Sequence, residues 1–211
     1  MRADRYVDLY LIRHWITDWN KEKRYLGHTD QNILLDGIIE LELLKKELES
    51  LSFDAIYSSD LIRCQETLEC LHLCHSSNLD PRLRELNFGD WEGKKYDELK
   101  EDAYYQNWLD NWESHTTPNG ESAKMFQQRV DEFVSNMLDS DKLCGEKTTI
   151  LVMTHGGVIR YMLSKFKASN SFWESPAVTH GKGVLLKLVN LKGEWECNSL
   201  SVVPSAGKDL Q

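Results

Sequence analysis

VDLYLIRH, Val7 to His14, is the stretch that decides the fold. Its apolar residues occupy both alternating sets, Val7, Leu9 and Leu11 on one and Tyr10 and Ile12 on the other. This is the pattern of a strand covered on both faces, as in a parallel sheet packed between helices. The strand runs out in an arginine and a histidine, so chemistry stands at its carboxyl end.

Working outward, Phe53 to Ser58 (FDAIYS) and Thr148 to Met153 (TTILVM) read as two more buried strands. Between the first two, Gly37 to Leu51 repeats apolar residues at helical spacing, with Ile38, Leu41, Leu44 and Leu48 on one face. Ser58, Ser59 and Asp60 are good caps for a helix from Leu61 through Leu68 and Leu71 to Cys74. A polar gap, His75 to Asn78, and a short extended stretch around Leu83 follow. Tyr96 to Trp112 has a helical, aromatic pattern, Thr116 to Gly120 (TTPNG) is a turn, and Glu121 to Leu138 is a helix with Met125, Val130 and Phe133 as core candidates. A helix from Val158 and closing strands at Gly183–Val189 and Glu196–Val203 complete the pattern; Pro204 to Gln211 is expected to be a flexible tail. The alternation predicts the α/β class, a three-layer α/β/α sandwich with a mostly parallel central sheet, in one domain over residues 1–211.

The balance of charge narrows the partners. A net charge of −9 over 211 residues disfavours nucleic acid and anionic membranes. Met1 to Asp8 is too charged for a secretory leader, and no apolar run approaches the roughly 20 residues of a membrane span. A cytoplasmic location is expected, and the five cysteines, Cys64, Cys70, Cys74, Cys144 and Cys197, are expected as reduced thiols. In CLHLCH, Cys70 to His75, the two thiols would share a helix face while His72 points elsewhere, so neither a metal nor another cofactor is expected.

Against that acidic background, cationic groups at strand ends are informative. The first strand ends in Arg13 and His14, the second is followed by Arg63 early in a helix, and the third ends in Thr154 and His155. Ligands of open α/β sheets bind at the carboxyl edges of the strands, where distant residues converge. Two arginine forks and two imidazoles gathered there suit a phosphoryl group.

The residues that carry this pattern resemble a known family. LIRHWITDWN (Leu11–Asn20), YLGHTD (Tyr25–Asp30), SSDLIRCQET (Ser58–Thr67), RELNFGDWEG (Arg84–Gly93), PNGES (Pro118–Ser122) and THGGVIR (Thr154–Arg160) occur in the order and spacing of the histidine phosphatase superfamily, phosphoglycerate mutase-like. The resemblance implies a metal-independent phosphomonoester hydrolase of small phosphate esters. It makes His14 the nucleophile that becomes a phosphohistidine. Arg13, Arg63 and His155 hold the phosphoryl oxygens, Glu85 is the general acid, and Asn20, Leu26, Gly27, His28 and Gly156 line the substrate site. Covalent capture splits one hard displacement into two easier ones.

One position departs from the pattern. The family reads Arg-His-Gly, and here the third residue is Trp15. An indole there would tilt His14, fill part of the pocket or point away, which leaves a catalytically impaired phosphate-binding relative as an alternative. The modest length between Glu85 and His155 favours hydrolysis over phosphoglycerate mutase-like transfer. Tyr104, Trp108 and Trp112 recur every four residues, as a core stripe or as a wall for a flat leaving group; the second case would suit α-ribazole 5′-phosphate. Substrate and oligomeric state are not fixed by the sequence.

Overall fold

A computed structural model describes residues 5–139 and 146–205. The elements in chain order are β1 (Tyr6–Arg13), α1 (Asp18–Lys21), α2 (Glu42–Glu49), β2 (Ala55–Ser58), α3 (Ile62–Cys70), β3 (Ser77–Leu79), α4 (Tyr96–Leu99), α5 (Ala103–Asp110), α6 (Ala123–Leu138), β4 (Lys147–Thr154), α7 (Gly156–Lys165), β5 (Gly183–Leu191) and β6 (Glu194–Val203). One six-stranded sheet has the order β3-β2-β4-β1-β5-β6. β3, β2, β4 and β1 pair in parallel, and β5 and β6 join antiparallel beside β1.

Alternation along the strands builds the two outer layers. Val7, Leu9 and Leu11 of β1, with Ile150 and Val152 of β4, join a core that includes residues of α5, α6 and α7. Tyr10, Ile12, Leu151 and Met153 point the other way, into a core with Leu44 and Leu48 of α2 and Cys64 and Leu68 of α3. The three-layer α/β arrangement read from the strand patterns is the one observed.

Several local expectations differ. The helix expected from Leu61 is not capped by Ser58, Ser59 or Asp60: the residue before it is Leu61, Ser59 Oγ is committed to His155 as well as to the Leu61 N–H, and the Ile62 N–H is met by Asp30 Oδ1 at 2.8 Å. The extended stretch lies at Ser77–Leu79 rather than around Leu83, which sits in a 3-10 turn started by Pro81 and capped by Asp80. The single pattern from Tyr96 to Trp112 breaks into α4 and α5 because Asp102 caps a new helix, accepting from the N–H groups of Tyr104 and Tyr105. Met125 is exposed, since the buried stripe of α6 runs through Ala123, Phe126, Val130 and Phe133.

Of the expected tail, Pro204 is buried and Ser205 is held by Glu47 Oε2, which accepts from its N–H and its hydroxyl at 2.7 and 2.8 Å. Residues 206–211 lie outside the described residues, as does Cys144; Cys64, Cys70, Cys74 and Cys197 are free thiols. No helix among the described residues is long and apolar enough to cross a membrane.

Candidate active site

The carboxyl ends of β2, β4 and β1 are neighbours in the sheet, so the residues that follow them meet at one edge. Arg13 pairs with Thr154 in register at the ends of β1 and β4, and the His14 N–H donates to the Thr154 carbonyl at 3.0 Å. His14 is buried and His155, one residue past β4, lies with its ring centroid 5.1 Å from that of His14. The His14 Nδ1 is 2.6 Å from the carbonyl oxygen of Trp15. A carbonyl only accepts, so Nδ1 carries the proton and Nε2 keeps its lone pair.

Arg63 is fully buried at the start of α3, where its two terminal nitrogens donate to the carbonyls of Gly27 and Thr29 at 2.7 and 3.0 Å. Those carbonyls are presented by a loop that Glu92 grips, its carboxylate accepting from the N–H groups of His28 and Thr29 at 2.7 and 2.6 Å. Of the expected Leu26, Gly27 and His28, Gly27 touches Arg63 through its carbonyl, His28 gives its N–H to Glu92, and Leu26 is buried. Arg13 donates to the Val178 carbonyl at 2.7 Å, and its guanidinium lies against Gly156, where a Cβ would meet Cζ at 3.2 Å. Asn20 has a local role, its Oδ1 accepting from the N–H and hydroxyl of Thr17 at the head of α1.

The donors left over are the informative part. Arg13 Nε, Arg63 Nε, His155 Nδ1 and His180 Nε2 are buried with no hydrogen-bond partner among the described residues, as are His28 Nε2 and, in the aromatic core, Trp108 Nε1. Folded proteins pair nearly all buried polar groups, so unpaired ones call for an explanation. His155 and His180 flank the His14 ring, Arg13 and Arg63 act on it electrostatically, and three of these four residues are expected phosphate ligands. Their mutual electrostatics agree: burial and the charges of Arg63 and Arg13 push His14 and His155 well below the usual histidine value. Arg13 is itself lowered to about 10 by burial, with Arg160 and Arg63 adding to the effect and Glu85 opposing it. The cluster concentrates positive potential that favours an anion, offset in part by Glu85.

Glu85 lies near enough for its charge to act on both Arg13 and Arg63. Its carboxylate accepts from the Gly157 N–H at the start of α7 at 2.9 Å and from the Leu86 N–H at 3.0 Å. A Cβ at Gly157 would lie 2.2 Å from Glu85 Oε1, so only glycine lets the carboxyl dock there. The loop carrying Glu85 is fixed by Arg129, which donates to the carbonyls of Arg82, Arg84 and Glu85 and to both oxygens of Glu121.

Trp15 is turned away from the phosphoryl-facing side. Its indole is buried in the core with Leu41 and Leu44, its Nε1 donates to the Leu34 carbonyl at 3.0 Å, and its backbone N–H donates to Thr67 Oγ1. The room comes from Gly181 (φ +67°), where a Cβ would meet the indole at 2.4 Å. The aromatic stripe is also core: Trp108 packs on Trp91 and Trp112 on Phe172, while Tyr104 is exposed with its hydroxyl on the Thr116 carbonyl.

From the sequence His180 reads as a structural or surface residue, and Arg129 is not singled out. The signal for His180 is topological. β5 runs antiparallel to β1 with Gly183 opposite Ile12, so the residues just before β5 enter beside the carboxyl end of β1.

A buried imidazole with a fixed tautomer, flanked by two further imidazoles and close to two guanidiniums at the carboxyl edge of a three-layer α/β sheet, suits the chemistry of phosphoryl groups. The chain belongs to the histidine phosphatase superfamily (branch 1), whose family model matches residues 9–202. It is 32% identical to an adenosylcobalamin/alpha-ribazole phosphatase of Escherichia coli (strain K12) over 74% of this chain and 77% of that protein. A relative from Erwinia tasmaniensis, 31% identical over 75% of this chain and 74% of its own length, carries the name of a phosphoglycerate mutase. Among solved structures, the alpha-ribazole phosphatase from Shigella flexneri superposes with a TM-score of 0.74 at 28% identity, covering 92% of this chain and 95% of that one.

Proposed function

We propose that this protein hydrolyses a small phosphomonoester through a phosphohistidine on His14. The observation that carries the proposal is a buried imidazole, its Nδ1 tied to the Trp15 carbonyl, beside two histidines and two arginines that each keep an unpaired buried nitrogen. In the first step the Nε2 lone pair of His14 attacks phosphorus. The bond to the leaving oxygen breaks as the Glu85 carboxyl gives that oxygen its proton. In the second step the Glu85 carboxylate takes a proton from water, the water oxygen attacks phosphorus, and the phosphorus–nitrogen bond breaks to restore His14. Arg13, Arg63 and His155 hold the equatorial oxygens throughout, where stabilising charge and positioning supply most of the acceleration.

The substrate we assign is α-ribazole 5′-phosphate or a related phosphorylated metabolite. The support is the likeness to the Escherichia coli and Shigella flexneri alpha-ribazole phosphatases. The aromatic stripe no longer adds to it, since Trp108 and Trp112 are spent in the core. Trp15 gives no support to an impaired binder, because its indole is withdrawn from the pocket.

A panel of phosphomonoesters including α-ribazole 5′-phosphate and 3-phosphoglycerate tests the substrate. Release of phosphate from the ribazole ester at the highest kcat/KM is expected; faster isomerisation of 3-phosphoglycerate would overturn it. Acid-labile, base-stable phosphate on the protein, absent from His14→Ala, is expected on pulse labelling. Turnover by His14→Ala at the unaltered rate would remove the covalent step.

A further inference from the structure

The loop between α7 and β5 brings a third imidazole to the cluster. The ring of His180 lies 5.3 Å from that of His14 on centroids, tilted by 60°, and the ring of His155 lies 5.1 Å from His14 at the same tilt. The proposed nucleophile is thus flanked by two histidines. Each presents one buried ring nitrogen with no partner among the described residues, His155 through Nδ1 and His180 through Nε2.

The placement of His180 is held firmly. The Gly181 N–H, next in sequence, donates to the carbonyls of both Arg13 and His14 at 3.1 and 3.2 Å, and the Lys182 carbonyl accepts from the Arg13 N–H at 2.9 Å. Beneath it, the Trp15 indole packs against Gly181. The tryptophan at position 15 therefore buttresses the segment that carries His180.

We infer that His180 is a phosphoryl-binding residue of this enzyme, its Nε2–H donating to an oxygen of the same phosphoryl group that His14 attacks. The inference rests on the pocket assigned above. Leaving a buried donor unpaired is costly, and a phosphate oxygen here would pair it together with the orphaned nitrogens of Arg13, Arg63 and His155. The charged and titratable groups acting on His180 are His14 and Arg13 at the end of β1 and Arg63 of α3, and none is an acid. Burial and the two guanidiniums push it down to about 3, so it donates as a neutral ring until an anion arrives. A dianionic phosphoryl group reverses the sign of that local field.

Inorganic phosphate as a competitive inhibitor of aryl phosphate hydrolysis provides the test. In His180→Leu, the phosphate inhibition constant and KM are expected to rise together by about 10- to 100-fold, the range for a hydrogen bond to a charged group. In His180→Gln, whose amide nitrogen reaches the Nε2 position, both should stay within about threefold of wild type. A role in packing alone would lower the unfolding midpoint and leave phosphate affinity unchanged, and that result would overturn the inference. Should the leucine variant fail to fold, the wild-type imidazole resonances decide: phosphate must shift the His180 Nε2 signal, identified by its loss in His180→Gln, and a signal that stays put would overturn it. A wild-type protein that binds no phosphate would instead sink the assignment of the whole pocket.

Discussion

Glu85 Oε2 accepts a hydrogen bond from the backbone of Gly157 at 2.9 Å, so the proposed general acid is carried on the first turn of the helix that follows His155. One element thereby sets the distance between that carboxyl and His155.

Gly157→Ala should break that link, since the added Cβ would fall 2.2 Å from Glu85 Oε1. Displacing a general acid typically costs 100-fold or more, and most where the leaving group is poor. The expected outcome is a loss of about 100-fold on alkyl phosphates and under tenfold on p-nitrophenyl phosphate. Equal losses on both would show that Glu85 does not protonate the leaving group.

Trp15→Gly restores the family residue, and a rise in activity of about tenfold would be expected if the indole obstructed the pocket. The structure predicts loss of stability instead. The indole is a buried core side chain, and truncating one costs about 3–5 kcal/mol. Urea unfolding should register that loss, with kcat no higher than in the parent. A faster and equally stable variant would contradict the packing described.

Arg129→Ala should be among the most damaging changes outside the pocket. Glu121 is 7% exposed and its carboxylate would lose both hydrogen bonds from Arg129. Uncompensated buried charges cost roughly 3–5 kcal/mol. Because Arg129 also donates to the Glu85 carbonyl, kcat should fall with stability; Arg129→Lys, lacking the planar fork, should recover only part of either. A variant as stable as wild type would show that this network is dispensable.

Stability should also depend on pH with a defined sign. His14, His155 and His180 are held below the ordinary value in the folded state, and in the unfolded chain they titrate near about 6.5. Below that pH the unfolded chain binds protons that the folded protein refuses, so stability falls as pH falls and is level above about 7.5. The slope approaches about 1.4 kcal/mol per pH unit for each histidine, roughly 4 for all three. For His180 the loss extends towards its folded value of about 3. Urea midpoints at pH 7.5, 6 and 5 should decline in that order, and saturating phosphate should reduce the decline. Identical midpoints would mean that the three rings titrate normally.

The buried strands were legible because full burial writes apolar residues on both faces, as in Val7–Arg13. Arg13, His14, Arg63 and His155 were legible because parallel topology sends strand ends to one edge. Other features depended on contacts remote in sequence. Ser59 could not be denied its capping role without knowing that His155 lies within 2.9 Å. His180 sits before a strand whose antiparallel direction has to be known before its neighbour can be named. Met125 missed the buried stripe by one position, a helical rotation of about 100°. Trp15 needed Gly181, 166 positions later, before its direction could be read.

The short contact between His14 and the carbonyl of its own neighbour has a consequence for the chemistry of the labelled protein. With Nδ1 serving as donor, the ring cannot turn over without forfeiting that bond, and the phosphorus is delivered to the other nitrogen. Labelled enzyme should accordingly carry the tele isomer, 3-phosphohistidine, to the exclusion of the pros form, and isomer-specific antibodies can tell the two apart.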